Sequence, residues 1–299
     1  MEKKMSQVER EKIIKIPLAD TSYIKRKYLD IPYANNSNAQ KLDIYLPDEG
    51  EGQFPVIVAI HGGAFAIGDK KDIQLNPQLN ALKRGYAVVS VNYRLSGEAL
   101  FPAGIMDLKA AIRWIKANAD KYGFNPNKIA AWGGSAGGYY SVMLGATPMI
   151  KEFEDLTMGN SEYSCEIQAV VDWFGPTNFL KMDEQLAQAG LGPTDHNDED
   201  SPESRLLGGK ITEIPERVEY ANPINYITKN MPPIFIQHGD KDHIVPFGQS
   251  ILLVEKLKEV VGSERFYFET LNGADHADPA FENPENIEKV LNFLDKYLK

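Results

Sequence analysis

Apolar and polar positions along the chain fall into two alternating rhythms. Four stretches, 54–60, 86–92, 167–174 and 233–239, are almost continuously apolar, as expected for strands buried on both faces of a sheet. Between them, apolar residues return at helical spacing over 73–83, 105–122, 251–261 and 287–298. In 105–122 the inward stripe is Met106, Leu108, Ile112, Ile115 and Ala119. Residues 265–271 add a short strand. Residues 128–137 read as a strand running into a sharp turn, with a helix following to Gly145. Near the start, 23–33 and 40–46 alternate at period two around the turn-rich Ala34-Asn-Asn-Ser-Asn38, which predicts an antiparallel pair at one sheet edge. Strands alternating with helices predict an α/β fold with a mostly parallel central sheet and right-handed crossovers.

The rhythm breaks over 177–232, which is polar, helical in pieces and carries the acidic loop Asp195-His-Asn-Asp-Glu-Asp200. Ser201-Pro202-Glu203 after that loop has the form of a helix start, with a cap, a proline at the first position and an acid in the first turn. The whole chain, 1–299, reads as one domain with this segment inserted. Residues 1–22 read as a polar, peripheral leader with a short helix.

Composition narrows the function classes. A formal net charge of −10 argues against nucleic acid or an anionic membrane as the main partner. One cysteine, Cys165, excludes an internal disulfide and fits a reducing compartment. No apolar run approaches membrane-spanning length, and the charged start lacks the apolar core of a signal peptide; a cytoplasmic location is expected. Asp195, Asn197 and Glu199 have the spacing of a calcium loop, but the sixth position is Asp200 where a glycine is needed and the twelfth is Leu206 where a glutamate is needed. The loop reads as solvated, and neither a metal nor an organic cofactor is expected.

The candidate chemistry sits at strand ends, where sites of parallel sheets collect. Gly133-Gly134-Ser135-Ala136-Gly137 is a G-x-S-x-G placed between a strand and a helix. A serine hydroxyl becomes a useful nucleophile only when exposed and paired with a base, and a strained strand-to-helix turn does the exposing. The Ala136 amide then lies at a helix N-terminus, where it can face developing negative charge. His61-Gly62-Gly63-Ala64-Phe65 follows a buried strand; it is either a tight turn or an oxyanion hole, with donors from Gly63 and Ala64. His61 itself reads as a positioning residue. In His238-Gly-Asp240-Lys-Asp242-His243, two aspartates compete for the role of orienting an imidazole, and a loop carboxylate capping backbone amides is the alternative for either. Of the five histidines, His276 lies in a loop after the last strand and suits the general base.

With these motifs in order, the chain resembles the α/β-hydrolase superfamily, and within it bacterial carboxylesterases of the hormone-sensitive-lipase-like and acetyl or feruloyl esterase type. The resemblance runs from about Tyr23 to the end and is carried by His61-Gly-Gly-Ala-Phe65, Asn92-Tyr-Arg-Leu95, Gly133-Gly-Ser-Ala-Gly-Gly138, Trp173-Phe-Gly-Pro-Thr177, Ser201-Pro-Glu-Ser204 and His238-Gly-x-x-Asp242-x-x-Val-Pro246. It implies that Ser135, Asp242 and His276 form the catalytic triad, and that Asp240 is not its acid. It implies a helical cap from 177–232. It also implies hydrolysis of short-chain or sugar-linked carboxylic esters, including acetyl or feruloyl esters of plant polysaccharide. Ala64 departs from the third glycine of many relatives. Phe65, Tyr93, Trp173, Phe174 and Ile244 adjoin the motif loops and are candidates for an acyl pocket, each with a core role as the alternative. An amidase or formamidase using the same triad is the rival enzyme, and a non-catalytic small-molecule binding protein on the same fold is the rival class. The expected partner is a small-molecule ester, with a homodimer as candidate assembly.

Overall fold

The structure, a computed structural model, describes residues 15–299. The short helix expected in the leader falls largely on residues 1–14, outside the described residues. The strands are β1 Lys27–Pro32, β2 Lys41–Tyr45, β3 Phe54–Ile60, β4 Ala87–Val91, β5 Phe124–Gly134, β6 Ala169–Trp173, β7 Ile234–Gly239 and β8 Phe266–Leu271. They form one sheet in the spatial order β1-β2-β4-β3-β5-β6-β7-β8. β1 with β2 and β2 with β4 pair antiparallel. All the pairings from β4 through to β8 are parallel. The α-helices are α1 Asn76–Leu79, α2 Ala103–Ala117, α3 Ala119–Tyr122, α4 Ala136–Ala146, α5 Met182–Ala189, α6 Pro202–Leu207, α7 Pro215–Ala221, α8 Gly248–Val260 and α9 Pro284–Leu298.

The unbroken apolar run of β3 follows from its central place. Side chains of a strand alternate between faces. Val56, Val58 and Ile60 join a core with Leu108 and Ile112 of α2 and Val142 and Met143 of α4. Ile57 and Ala59 join the opposite core, with Leu75, Leu79 and the α9 residues Val290, Leu291 and Leu294. Both faces therefore need apolar residues.

Several expected helices end differently. The 105–122 stretch is broken between α2 and α3 at Asn118, whose side-chain amide donates to Trp114 O at 2.9 Å. The 73–83 stretch is a run of 3-10 turns around the four-residue α1. The last helix begins at Pro284, where Asn283 accepts from Glu285 N at 3.0 Å. Between β6 and β7 lie α5, α6 and α7; Tyr139 of α4 donates its hydroxyl to Ala221 O at 2.6 Å and ties the end of α7 to the domain. The start of α6 is as the sequence predicts: Ser201 Oγ accepts from Ser204 N, and Pro202 opens the helix.

Residues 15–22 run along the surface and are tied to the segment before α1 by backbone contacts. Leu18 bridges Asp72, Ala19 N donates to Lys71 O, and Ile73 N donates to Pro17 O. These backbone bonds bring Ile16 to the border of the main cavity. Among the described residues, no helix is long and apolar enough to cross a membrane.

Candidate active site

β5 ends at Gly134 and α4 begins at Ala136, which leaves Ser135 alone to turn the chain. Its φ of 56° and ψ of −124° lie in a region that non-glycine residues rarely adopt. Such strain persists only where its surroundings hold it. Here Ser135 N donates to Trp173 O at 2.9 Å. A Cβ at Gly137 would sit 2.1 Å from Ile60 O, so only glycine lets the first turn of α4 pass β3. Ala136 occupies the first turn of α4, where amides have no intrahelical acceptor. Ala64, Phe174 and Ala277 are further non-glycine residues at positive φ, and with Ser135 all four border one cavity. Backbone strain is thus concentrated at this place in the fold.

Behind the turn lies Asp172 on β6, fully buried. Its Oδ1 accepts from Gly175 N at 3.0 Å, and its Oδ2 has no hydrogen-bond partner among the described residues. Burial pushes its carboxyl up to about 6, partly offset by His238 and the Gly175 amide. The folded carboxyl holds its proton to about pH 6 and the unfolded one only to 3.8, so the cost of its charge grows as pH rises through that window. Asp172→Asn should therefore raise unfolding stability at pH 8, by up to about 3 kcal/mol, and change it little near pH 4. Urea denaturation at the two pH values measures this, and an equal effect at both would contradict the assignment.

The loop after β3 presents Gly63 and Ala64 to the cavity. Gly63 has φ of 116°, and its carbonyl accepts from Ala66 N and Ile67 N at 3.0 Å, closing a tight turn. His61 is buried, stacks on Tyr93 with ring centroids 4.5 Å apart, and contacts Gly62 O through Nδ1 at 2.8 Å. Burial lowers its pKa, so the ring is neutral and shapes the loop.

Asp242, on the loop after β7, is fully buried and surrounded by donors. Oδ1 accepts from Ile244 N at 2.9 Å and Val245 N at 2.8 Å. Oδ2 lies 2.7 Å from His276 Nδ1 and 3.3 Å from His238 Nε2. Burial alone would raise its pKa; the hydrogen bonds and charge of His238 and His276 outweigh that and hold the carboxyl well below the usual range. A carboxylate on Nδ1 makes that nitrogen the donor, which leaves His276 Nε2 with a lone pair. Phe174 packs edge-on against the imidazole, centroids 4.8 Å apart. The competing Asp240 accepts from Gly273 N at 2.6 Å and fastens the two loops.

Ser135 and His276 border the same cavity, of about 650 Å³, together with Gly63 and Ala64. Of the five residues expected around an acyl pocket, Trp173, Phe174 and Ile244 border it. Phe65 and Tyr93 do not. Phe65 turns inward at φ 62° and packs on Tyr139, Tyr140 and Phe179. Tyr93 spends its ring on His61 and Tyr140 and donates its hydroxyl to His61 O. Sequence reasoning missed His196, His243, Phe281 and Ile16, which also border the cavity. Among the described residues, no group of three or more His, Cys, Asp or Glu side chains is placed to hold a metal ion.

His196 joins the segment between β6 and β7 to the Asp242 loop. Nε2 donates to Ile244 O at 2.9 Å, and Nδ1 lies 3.2 Å from Glu203 Oε2, within ion-pair range though off the line of a good hydrogen bond. Burial lowers its pKa, but the Glu203 and Asp183 carboxylates and the Ile244 carbonyl override this and push it up to about 9. The stabilisation is fully present below the unfolded value of 6.5 and is lost as pH rises through about 9. His196→Gln should cost about 2 kcal/mol or more at pH 6 and much less at pH 10; chemical denaturation at both checks it, and a pH-independent loss would contradict it.

A family model described as BD-FAE matches residues 42–257, a span that contains Ser135 and Asp242 and stops short of His276. The chain belongs to the BD-FAE family. This BD-FAE chain is 32% identical over 234 residues to the probable carboxylic ester hydrolase LipM of Mycobacterium tuberculosis, covering 77% of itself and 52% of LipM. It thus spans about half the length of that relative. Among solved structures, it superposes on a truncated form of a carbohydrate esterase from gut microbiota with a TM-score of 0.82 and 32% identity, over 94% of this chain and 99% of the other. It superposes on a bifunctional GH43-CE protein of Bacteroides eggerthii with a TM-score of 0.81 and 34% identity, over 90% of this chain and 38% of the other. The BD-FAE chain has the α/β-hydrolase fold.

Proposed function

We propose that this chain hydrolyses carboxylic esters through an acyl-enzyme on Ser135. The observation that carries the reading is the 2.7 Å pairing of Asp242 with His276 Nδ1, beside a serine held in a strained turn at the same cavity. In this reading Ser135 Oγ attacks the ester carbonyl while His276 Nε2 takes its proton. Amides of Gly63, Ala64 and Ala136 donate hydrogen bonds to the oxyanion, each worth roughly 10²–10³ in turnover. The imidazolium, balanced by Asp242, then returns the proton to the departing alcohol. Water repeats the sequence on the acyl-enzyme and frees the acid.

The cavity walls favour an uncharged ester. Ile60, Ile67, Pro77, Trp173, Phe174 and Phe281 border it, and burying a charge among them would be costly. The carbohydrate esterase likeness supports short acyl groups on sugars as substrates. A panel of p-nitrophenyl acetate and butyrate, acetylated xylose, methyl ferulate and p-nitroacetanilide tests the reading. Turnover of short esters is expected to exceed that of the anilide; a preference for the anilide would favour the amidase reading, and no turnover of any ester would refute ester hydrolysis.

A further inference from the structure

The loops after β7 and β8 are joined by two carboxylate–imidazole pairs set crosswise. Asp242 of the first loop holds His276 of the second. Asp275 of the second holds His243 of the first, whose Nδ1 lies 2.6 and 2.7 Å from its two oxygens. Asp275 Oδ1 also accepts from His243 N at 3.1 Å and His276 N at 2.7 Å. Partial burial would raise the Asp275 pKa; these hydrogen bonds outweigh it and keep the group a carboxylate.

The first pair belongs to the reaction proposed above. The second has no part in it, yet His243 borders the same cavity with 47% of its side chain exposed. With both Asp275 oxygens on Nδ1, that nitrogen is the donor, and in the neutral ring Nε2 is the acceptor. Asp195, Asp278 and Glu282 border the cavity as well, with the Asp278 oxygens accepting from Ala280 N at 2.8 Å and Asp275 N at 3.5 Å. His196 borders the cavity too, and its positive charge is met by Glu203, whose Oε2 lies 3.2 Å from Nδ1. The cavity is therefore bordered by acidic residues as well as by the apolar Trp173, Phe174 and Phe281. A group that fits must donate hydrogen bonds, and the carboxylates disfavour an anion.

We propose that His243, oriented by Asp275, is a specificity residue for the alcohol portion of the ester, accepting at Nε2 a hydrogen bond from a hydroxyl of a neutral sugar. The assignment rests on the ester-hydrolysis reading above. It gives a role to a second carboxylate-held imidazole, more exposed than the first, at the same cavity.

The test is a ratio: kcat/KM for an acetylated methyl xyloside divided by kcat/KM for p-nitrophenyl acetate. The nitrophenyl ester has no hydroxyl to offer. In His243→Phe, which keeps a ring and removes the acceptor, the ratio should fall about tenfold, chiefly through KM for the xyloside. His243→Gln, which restores a carbonyl acceptor, should return it to within about threefold of the wild type. Should His243→Phe fail to fold, His243→Ala carries the same expectation. A ratio held within about twofold in the acceptor-less variant overturns the assignment, whether both rates fall together or neither moves. So does a wild-type protein that cleaves the nitrophenyl ester and leaves the xyloside untouched. Ester turnover within tenfold of the wild type in Ser135→Ala would instead overturn the acyl-enzyme on Ser135, so the two failures are distinguishable.

Discussion

Ser135→Ala is expected to lower kcat/KM for p-nitrophenyl acetate by about 10⁴-fold or more. Without Oγ there is no atom to form the acyl-enzyme, and only the amides around the oxyanion position and the cavity walls remain to help water. The loss should fall on kcat. KM should move little, because the apolar residues that would hold the substrate are untouched. Folding should be spared: alanine tolerates φ of 56° no worse than serine does, and the backbone bond from Ser135 N to Trp173 O is kept. A variant that keeps a tenth or more of wild-type activity, with an unchanged urea midpoint, would remove Ser135 from the mechanism.

Asp242→Asn has the second large effect, and it acts through a proton. The carboxylate fixes His276 with its hydrogen on Nδ1. An amide nitrogen turned towards that atom forces the other tautomer, with the hydrogen on Nε2, where a base is needed. A drop of about 10⁴-fold in kcat near neutral pH follows. Stability should fall as well, by about 3 kcal/mol, because Asp242 is fully buried among donors that would lose their charged partner. The sign with pH is set by the depressed folded pKa. The carboxylate's contribution is present above the unfolded carboxylate range and is lost as pH falls through the folded value. The deficit of the variant should therefore shrink as acid is added below about pH 4. Denaturation at pH 7 and pH 3 separates this from a purely steric effect, for which the deficit would stay constant.

The sheet was readable because burial on two faces leaves no alternative to a continuous apolar run. Residues 54–60 form β3 over the predicted span, and the runs at 86–92, 167–174 and 233–239 each contain a strand. Helix ends were less legible where a side chain competes with the backbone. Asn118 interrupts the 105–122 stripe by bonding Trp114 O, which periodicity alone does not reveal. The start of α9 carried a signal that the apolar spacing overlooked: Asn283-Pro284-Glu285 has a cap, a proline and an acid in the order of a helix N-terminus.

At the candidate site, motif order pointed to Ser135 and His276, which border one cavity, and the family resemblance chose Asp242 over Asp240; all three follow a parallel strand at its carboxyl end. Aromatic neighbours were harder to assign. Phe65 and Trp173 both adjoin motif loops, yet one turns into the core and the other borders the cavity; nothing in composition separates them. His196 and His243 stood in the sequence as ordinary loop histidines. Their significance lies in Glu203 and Asp275, partners that only the tertiary structure supplies.

Ser135 is proposed as a nucleophile that His276 activates, and brief exposure to a fluorophosphonate followed by peptide mapping tests this most directly. The expected result is one phosphonyl group per chain, on the peptide carrying Ser135, with labelling slowed by orders of magnitude in Asp242→Asn. Labelling at a different residue, or unlabelled protein that still turns over esters in the presence of the reagent, would contradict it.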